Sequence, residues 1–268
     1  MIRTVALQLI IIVSLTGGAW AEFNHAVLDT LLQQHVRVIN GGKSSQVDYQ
    51  GFLQSHSLLT GYLDTLSSIT QKDFDSWPTS DQLAFLINAY NSWTIELILS
   101  RYPDLTSIKD LGSLFQSPWK KKFIPLFGKL LSLDDIEHGL IRGSGRYNDP
   151  RIHFAVNCAS IGCPALQNRA YRGDLLDAQL EKATNAFLAD RNRNRFNGST
   201  LEVSSIFKWY REDFEKGWRQ TNTLGQFLAL YGESLGFNEE MRKKIVAGGV
   251  TIKFLEYDWR LNDVKYDR

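Results

Sequence analysis

The residues of this sequence that could do chemistry are two cysteines and two histidines near its middle. Cys158 and Cys163 flank a loop of four residues, and His138 and His153 precede this loop. A cysteine becomes a strong nucleophile when a nearby imidazole or cation lowers the pKa of its thiol. We therefore expect a thiol site in which Cys158 attacks amide or peptide-like carbonyl groups.

His138 is the predicted general base of this site. Residues 152–156 alternate apolar and polar side chains, a pattern that predicts a β-strand. On a strand, His153 would lie about 16 Å from Cys158, at an extended rise of ~3.3 Å per residue, and on the opposite face. His138 lies on a separate predicted helix and is free of this constraint. Asn91, from a long helix earlier in the chain, is predicted to orient the imidazole as a third member.

Further polar residues near these motifs are predicted to contact a bound ligand. Asn88 and Asn91 lie three residues apart on one side of the long helix, where they could serve the site or hydrogen-bond neighbouring loops. Glu137 lies about 100° from His138 around its helix, so it is not expected to orient that imidazole. The predicted ligand contacts are Asn88, Glu137, His153, Asn157 and Cys163.

The two cysteines also permit structural interpretations. An even count of two in an exported protein favours a disulfide, and Gly162 and Pro164 would help a short loop to close between Cys158 and Cys163. A buried apolar role for Cys158, and a metal site in which both cysteines meet a histidine, also stay open. The motifs predict no resident metal and no cofactor.

The amino terminus has the pattern of an export signal. Arg3 is followed by the apolar run 5–15 and by the small-residue pattern Ala19-Trp20-Ala21. This order is typical of a signal peptide, here residues 1–21, that is cleaved after Ala21. Because the apolar run is shorter than the ~20 residues of a membrane-spanning helix, we expect no stable membrane span in the mature protein. The predicted location is periplasmic or secreted.

Composition limits the class of protein. The chain has 268 residues, 43% of them hydrophobic, which allows a sizeable core and excludes a wholly disordered chain. Its 30 basic and 29 acidic side chains give a net charge of +1, which provides no general attraction to nucleic acid or anionic membranes. Two cysteines are too few for a disulfide-framework scaffold. We expect a small-molecule or peptide-like ligand and no nucleic-acid partner.

The predicted elements form an α+β fold, a small antiparallel sheet surrounded by helices in a single domain. Apolar spacing predicts a long helix over 81–101. Alternation over 250–261 predicts a terminal strand, which we expect to pair with the strand at 152–156. An N-terminal helical region, 22–80, is expected to pack on the main domain, 81–268.

Four blocks of the chain carry a wider pattern: residues 84–91 (AFLINAYN), 131–138 (LSLDDIEH), 149–160 (DPRIHFAVNCAS) with Cys163-Pro164, and 257–262 (YDWRLN). Together and in this order they resemble the family named domain of unknown function 547, DUF547. The resemblance spans Asp81 to Asn262, and the family label implies no agreed reaction. The architecture is also distantly similar to papain-like and transglutaminase-like thiol hydrolases. That similarity implies a helix packed on a small sheet and a thiol that meets a histidine.

Two functions from different classes are compatible with these residues. The first is an exported hydrolase or acyl transferase in which Cys158 attacks, His138 accepts its proton and Asn91 steers the ring. The second is a non-catalytic binding module whose polar cleft holds a small peptide. Its ligand could also be a thiol such as glutathione, held by mixed-disulfide exchange at Cys158.

Overall fold

The computed structural model describes residues 22–113 and 115–266. The predicted signal peptide, residues 1–21, lies outside the described residues. Within the two described ranges, no helix is both long enough and apolar enough to cross a lipid bilayer.

Short helices make up most of the molecule. The α-helices are α1 (Ala26–His35), α2 (Tyr49–Gln54), α3 (His56–Ser67), α4 (Gln71–Ser76), α5 (Thr79–Leu99), α6 (Leu176–Leu188), α7 (Ile206–Trp209), α8 (Arg211–Phe214), α9 (Leu224–Leu230), α10 (Gly232–Leu235) and α11 (Glu239–Val246). A π-helix covers Asp135–Arg142 and a 3-10 helix covers Pro150–Phe154. The π-helix and this 3-10 helix both contribute residues to the candidate site.

The strands form small separate sheets. They are β1 (Val36–Ile39), β2 (Ser44–Val47), β3 (Ile124–Leu126), β4 (Lys129–Leu131), β5 (Arg195–Phe196), β6 (Thr200–Val203) and β7 (Thr251–Phe254). β1 pairs with β2 and β3 with β4, both antiparallel, whereas β6 lies between an antiparallel β5 and a parallel β7. The α+β class is confirmed, with sheets of two or three strands surrounded by helices.

Helix α5 is the centre of the larger hydrophobic core. Nearly every side chain from Gln82 to Leu99 is buried, because this helix is apolar on all sides and lies inside the molecule. Its bounds agree with the predicted helix to within two residues at each end. Helices α1, α2 and α3 share the same core through side chains such as Leu31, Phe52 and Leu59.

A second core, rich in phenylalanine, lies under α6 to α9 and the three-stranded sheet. Phe154 is fully buried there, with its ring centroid 5.0 Å from that of Phe187 and 5.8 Å from that of Phe207. Phe214 and Phe227 complete the aromatic cluster, with centroids 4.7 Å apart. The segment that carries Phe154 is therefore held between two cores.

The predicted strand at 152–156 is wrong. Asp149 accepts a hydrogen bond of 3.0 Å from a backbone N–H of the first turn, and Pro150 occupies a first-turn position, so a 3-10 helix begins here. Ile152 enters the core around α5, whereas Phe154 enters the phenylalanine core. The apolar alternation therefore serves two cores and not one face of a sheet. Strand β7, which was expected to pair with this segment, pairs with β6 instead.

Two asparagines fasten α5 to the loops that build the site. Asn88 donates to the Tyr171 carbonyl (2.8 Å) and accepts from the Tyr171 N–H (2.9 Å). Asn91 donates to the Ala155 carbonyl (3.0 Å) and accepts from the Asn157 N–H (2.8 Å). Both amides are buried, and each satisfies one backbone donor and one backbone acceptor. Asn91 thereby fixes the chain next to the predicted nucleophile.

We predict that Asn91→Ala lowers the free energy of unfolding by about 2–6 kcal/mol, because it leaves two buried backbone groups unsatisfied at about 1–3 kcal/mol each. Urea unfolding followed by circular dichroism measures the change. The matched control is Asn148→Ala, which truncates an exposed asparagine and should be nearly neutral. Equal stability of the two variants would show that the Asn91 bonds are dispensable.

Candidate functional site

The candidate site is a cavity of about 220 Å³ between the two cores. It is lined by one residue of α5, by the π-helix and the residues just before it, by the loop 158–163 and by the segments that start at residues 206 and 257. Its lining residues are Tyr90, Ser117, Trp119, Asp134, Glu137, His138, His153, Val156, Cys158, Cys163, Pro164, Ile206, Trp209, Tyr210, Tyr257 and Trp259. Both cysteines and both histidines of the sequence motifs therefore face one cavity.

The sulfur atoms of Cys158 and Cys163 are joined in a disulfide in the cavity wall. Cys158 is partly exposed, whereas Cys163 is buried. The Cys158 sulfur lies 3.2 Å from the hydroxyls of Ser160 and Tyr257. The Cys163 sulfur accepts from the Cys158 N–H at 2.9 Å and from the Tyr257 hydroxyl at 3.2 Å. Each sulfur thus has hydroxyl or amide donors at its side.

The loop 158–163 is held by backbone bonds at both ends. Asn157 donates to the Pro164 carbonyl (2.8 Å) and accepts from the Ala159 N–H (2.8 Å), and this supports the left-handed backbone of Ala159 at φ 61°. The loop N–H groups of Ile161 and Gly162 donate, each at 2.8 Å, to backbone carbonyls of the segment 258–260. Asn157, predicted as a ligand contact, closes the loop instead of lining the cavity.

Gly162 lets the ring of Tyr257 lie directly against the loop. A Cβ atom at this position would come within 2.9 Å of the Tyr257 ring carbons, so any side chain would displace the tyrosine. Burial raises the pKa of Tyr257 well above its usual value, and this outweighs the lowering effect of the Ser160 hydrogen bond. The Tyr257 hydroxyl consequently keeps its proton and can donate to either sulfur.

His153 is held in one tautomer by Asp213. Its Nε2 lies 2.7 Å from the Asp213 carboxylate, and its ring stacks on Tyr210 with a centroid separation of 3.9 Å. Burial lowers the pKa of His153, although the hydrogen bond to Asp213 opposes the shift. A neutral ring that donates from Nε2 leaves Nδ1 as an acceptor. That Nδ1 is buried and has no hydrogen-bond partner among the described residues.

Asp213 is saturated with donors. Its carboxylate accepts from His153, from the Arg142 Nε at 2.5 Å and from the Lys216 Nζ at 2.9 Å. Burial alone would raise the pKa of Asp213, but these three hydrogen bonds outweigh it and hold the pKa well below its usual range. Asp213 is therefore a carboxylate, and its two cationic partners disfavour a positive charge on His153.

His138 has the opposite tautomer. Its Nδ1 lies 2.7 Å from Nη1 of Arg142, and since a guanidinium can only donate, this nitrogen accepts and the ring proton is on Nε2. Nε2 lies 3.7 Å from a carboxylate oxygen of Asp134. In this arrangement His138 offers the cavity a donor, whereas the predicted general base must offer an acceptor. The acceptor nitrogen belongs to His153, which the strand prediction had placed out of reach of Cys158.

The other predicted orienting and contact residues divide between the cavity and the framework. The side-chain amides of Asn88 and Asn91 hydrogen-bond to backbone groups. The partners of His138 are Arg142 and Asp134, so Asn91 does not orient the His138 ring. Glu137 lines the cavity, and its side chain is buried. No group of three or more His, Cys, Asp or Glu side chains within the described residues has an arrangement that could hold a metal ion.

Two cavity residues, Tyr210 and Trp209, and the His153 partner Asp213 come from parts of the chain that the motifs did not single out. Asp213 and Tyr210 belong to α8 and its start, and Trp209 ends α7. Trp209 forms an aromatic rim with Tyr257 and Trp259, at centroid separations of 4.8 and 5.7 Å, and it is 47% exposed. A sequence signal existed only in the aromatic content of these segments, because helices of four residues show no periodicity.

Comparison with known proteins gives one family match. Residues 74–188 match the family described as "Protein of unknown function, DUF547". No curated protein and no solved structure matches the chain. The matched segment contains Cys158, Cys163, His138 and His153, whereas Asp213 and Tyr257 lie beyond its end. The match supports the assignment of residues 74–188 to the DUF547 family.

Proposed function

We propose that the cavity is the active site of a thiol-dependent acyl-transfer enzyme, an amide or peptide hydrolase or an acyl transferase. The observation that carries the proposal is that a partly exposed cysteine, Cys158, and an oriented imidazole, His153, line the same cavity. Asp213 fixes His153 so that its free nitrogen is an acceptor. A nucleophile, a base and a group that orients the base are the parts that such catalysis needs.

The reaction begins when the Cys158 thiol gives its proton to Nδ1 of His153. The sulfur then forms a bond to the substrate carbonyl carbon, and the tetrahedral intermediate collapses as the C–N bond breaks. The leaving amine takes the proton from His153, and an acyl-thioester remains on Cys158. Water completes hydrolysis by attacking this thioester, and a second amine or alcohol would complete a transfer instead.

Two donors of the cavity would assist these steps. The Tyr257 hydroxyl lies 3.2 Å from the Cys158 sulfur, where it can stabilise the thiolate. His138, with its proton on Nε2, can donate to the oxygen or nitrogen that gains charge on the substrate. His138 therefore keeps a place in the proposal, as a donor and not as the base.

The proposal requires that the disulfide be reduced before turnover. Two molecules of a small thiol, or one dithiol protein, would supply the two electrons: the first thiolate attacks one sulfur to form a mixed disulfide, and the second thiolate attacks this bond and releases the reductant as a disulfide. The loop 158–163 is held by backbone hydrogen bonds that do not involve the sulfurs, so the reduced cysteines would stay at the cavity. We also propose that the protein is exported, because residues 1–21 have a basic residue, an apolar run and small residues in the order typical of a signal peptide.

A second candidate function is reversible exchange with a thiol peptide such as glutathione. It is favoured by the donors around the Cys163 sulfur, which would stabilise a thiolate there. An incoming thiolate would attack the more exposed Cys158 sulfur, the S–S bond would break, and Cys163 would leave as the thiolate. The product is a mixed disulfide on Cys158, without net oxidation or reduction.

We predict that Cys163→Ser is active without reductant, because it leaves Cys158 as a free thiol, and that Cys158→Ser is inactive under all conditions. Hydrolysis of a panel of peptidyl p-nitroanilides measures turnover. Iodoacetamide labelling mapped by mass spectrometry provides a readout that needs no substrate. It should label Cys158 at once in Cys163→Ser, and in the wild type only after reduction.

The two variants control each other, since each removes one sulfur of the same disulfide. Turnover that persists in Cys158→Ser would overturn the thiol mechanism. A mixed disulfide with glutathione on the wild type, together with no turnover by Cys163→Ser on the panel, would favour the second candidate.

We predict that His153→Gln in the Cys163→Ser background lowers kcat/KM by about 10²–10⁴, the usual contribution of a general base. The glutamine amide can still donate to Asp213, so the fold should be retained, which circular dichroism checks. Because burial lowers the pKa of His153, the acid limb of the pH profile should have its midpoint below 6.5. His138→Gln is the matched control. A larger loss in the control than in His153→Gln would return the role of base to His138.

We predict that Tyr257→Phe in the Cys163→Ser background raises the pKa of the Cys158 thiol by about one to two units. A hydrogen bond to a charged group contributes about 1.5–3 kcal/mol, and one pKa unit corresponds to about 1.4 kcal/mol. The pH dependence of the iodoacetamide alkylation rate measures this pKa. The control is Tyr231→Phe, which removes a hydroxyl bonded to Glu181 that does not line the cavity. An unchanged alkylation profile in Tyr257→Phe would remove this donor from the mechanism.

A further inference from the structure

Glu137 is a buried carboxylate that the proposed chemistry does not use. It lines the cavity, is only 4% exposed, and lies in the middle of the π-helix. Its Oε1 has no hydrogen-bond partner among the described residues, and none of the ion pairs formed within them includes this side chain. A carboxylate in this position costs free energy unless an opposite charge approaches it.

The nearest cation cannot serve as this partner. The guanidinium of Arg142 is close enough for Glu137 to contribute to its raised pKa, although burial opposes that shift. However, Nε of Arg142 donates to Asp213 and its Nη1 donates to His138. The hydrogen bonds of Arg142 within the described residues therefore go to other groups, and Glu137 has this charge nearby but forms no ion pair with it.

The neighbouring tyrosines leave this charge in place. Burial first, and then the Glu137 carboxylate, raise the pKa values of Tyr90 and Tyr210 far above their usual range. Both hydroxyls therefore stay protonated and neutral. They can soften the loss of solvation of Glu137, but they add no positive charge to the cavity.

We infer that the cavity binds a protonated primary amine at Glu137 and that the substrate of the proposed reaction carries this group. A compact ammonium suits a cavity of about 220 Å³, which is smaller than the ~300–1,000 Å³ of typical pockets for drug-sized ligands. The partly exposed ring of Trp209 in the same wall is a favourable surrounding for a cation. A metal ion is a poorer fit, because the described residues offer no cluster of three acidic, histidine or cysteine ligands.

The inferred substrate is a peptide or amino-acid amide with a free amino group near the scissile bond. This inference deepens the proposed function. The statement that the amine is a substrate rests on that function, whereas binding of the amine does not depend on turnover. His153 lines the same cavity, and its Nδ1, which has no partner among the described residues, stays available for the Cys158 thiol in this assignment. The acidic group that selects the substrate and the imidazole that acts on the thiol are then separate.

The test uses the full-length mature protein in its oxidised form, which cannot turn over by the proposed route. Alanyl-alaninamide and its N-acetyl derivative are titrated separately while ¹H–¹⁵N chemical shifts are followed. We expect the free amine to bind at least tenfold more tightly than the acetylated peptide. We expect Glu137→Gln, which keeps the shape and removes the charge, to abolish the difference.

Asp134→Asn is the matched control, because it removes one negative charge from the same cavity at a more exposed side chain that faces His138. It should keep most of the tenfold preference. Thermal unfolding checks the fold of both variants, and the free amine should raise the Tm of the wild type but not that of Glu137→Gln. Equal binding of the two peptides, or a preference that survives in Glu137→Gln, would overturn the inference.

Failure of the inference can be told apart from failure of the proposed function. Turnover by Cys163→Ser that is equal for free and acetylated peptide substrates would leave the thiol enzyme in place and overturn the amine site. The opposite outcome is amine binding that depends on Glu137 but no turnover of any amine-bearing amide by Cys163→Ser. This result would overturn the proposed acyl-transfer reaction. The cavity would then be a binding site for amines, and the statement about substrates would be overturned with the reaction.

Discussion

The hydrogen bonds of the Asp213 carboxylate are the constraint on which the rest of the site depends. They connect the π-helix through Arg142 and the 3-10 helix through His153 to α8, which carries Asp213, and to Lys216 just after this helix. Three walls of the cavity are thereby fixed to one charged group. Hydrogen bonds of this network also fix where the ring protons lie, because Asp213 accepts from Nε2–H of His153 and Arg142 donates to Nδ1 of His138. As a result, His153 has an acceptor nitrogen at Nδ1, and His138 has a donor at Nε2.

The charge balance follows from the same group. Asp213 carries one negative charge and accepts from two cations, Arg142 and Lys216. Burial lowers the pKa of His153 and, together with the charge of Arg142, outweighs the opposing hydrogen bond to Asp213 and the nearby charges of Glu137 and Asp213. Both nearby cations are already engaged. Glu137, which lines the same cavity, forms no ion pair with either cation within the described residues, so the cavity combines a neutral imidazole with a carboxylate that has no ion-pair partner.

Part of this arrangement could be predicted from the sequence. Helix α5 follows from its apolar periodicity, and the motif residues Cys158, His138 and His153 do share one cavity. The 3-10 helix could not be recognised from alternation, because successive side chains of 152–156 face two different cores and imitate the pattern of a strand. The Asp149-Pro150 pair, a helix-start signal, was the better guide there.

Long-range polar contacts were beyond prediction. The partners of the Asn91 amide are backbone groups more than 60 residues later, and backbone groups have no sequence signature. Asp213 lies 60 residues after His153 on a helix of one turn, where nothing in the local pattern separates it from other surface carboxylates. The choice of His153 as the base in the proposed mechanism depends on this contact, and this is the histidine that the sequence spacing had rejected.

The framework of the loop 158–163 explains how one site could hold either a disulfide or a thiol. The amide of Asn157 and the backbone of 258–260 hold the loop without using the sulfur atoms. Tyr257 is pressed against Gly162, and its hydroxyl lies 3.2 Å from both sulfurs. Breaking the S–S bond would leave these contacts intact and add two thiols beside a donor that is already in place. The Tyr257 hydroxyl is already in position beside the sulfurs before any thiolate forms. Reduction would therefore require little rearrangement of the cavity.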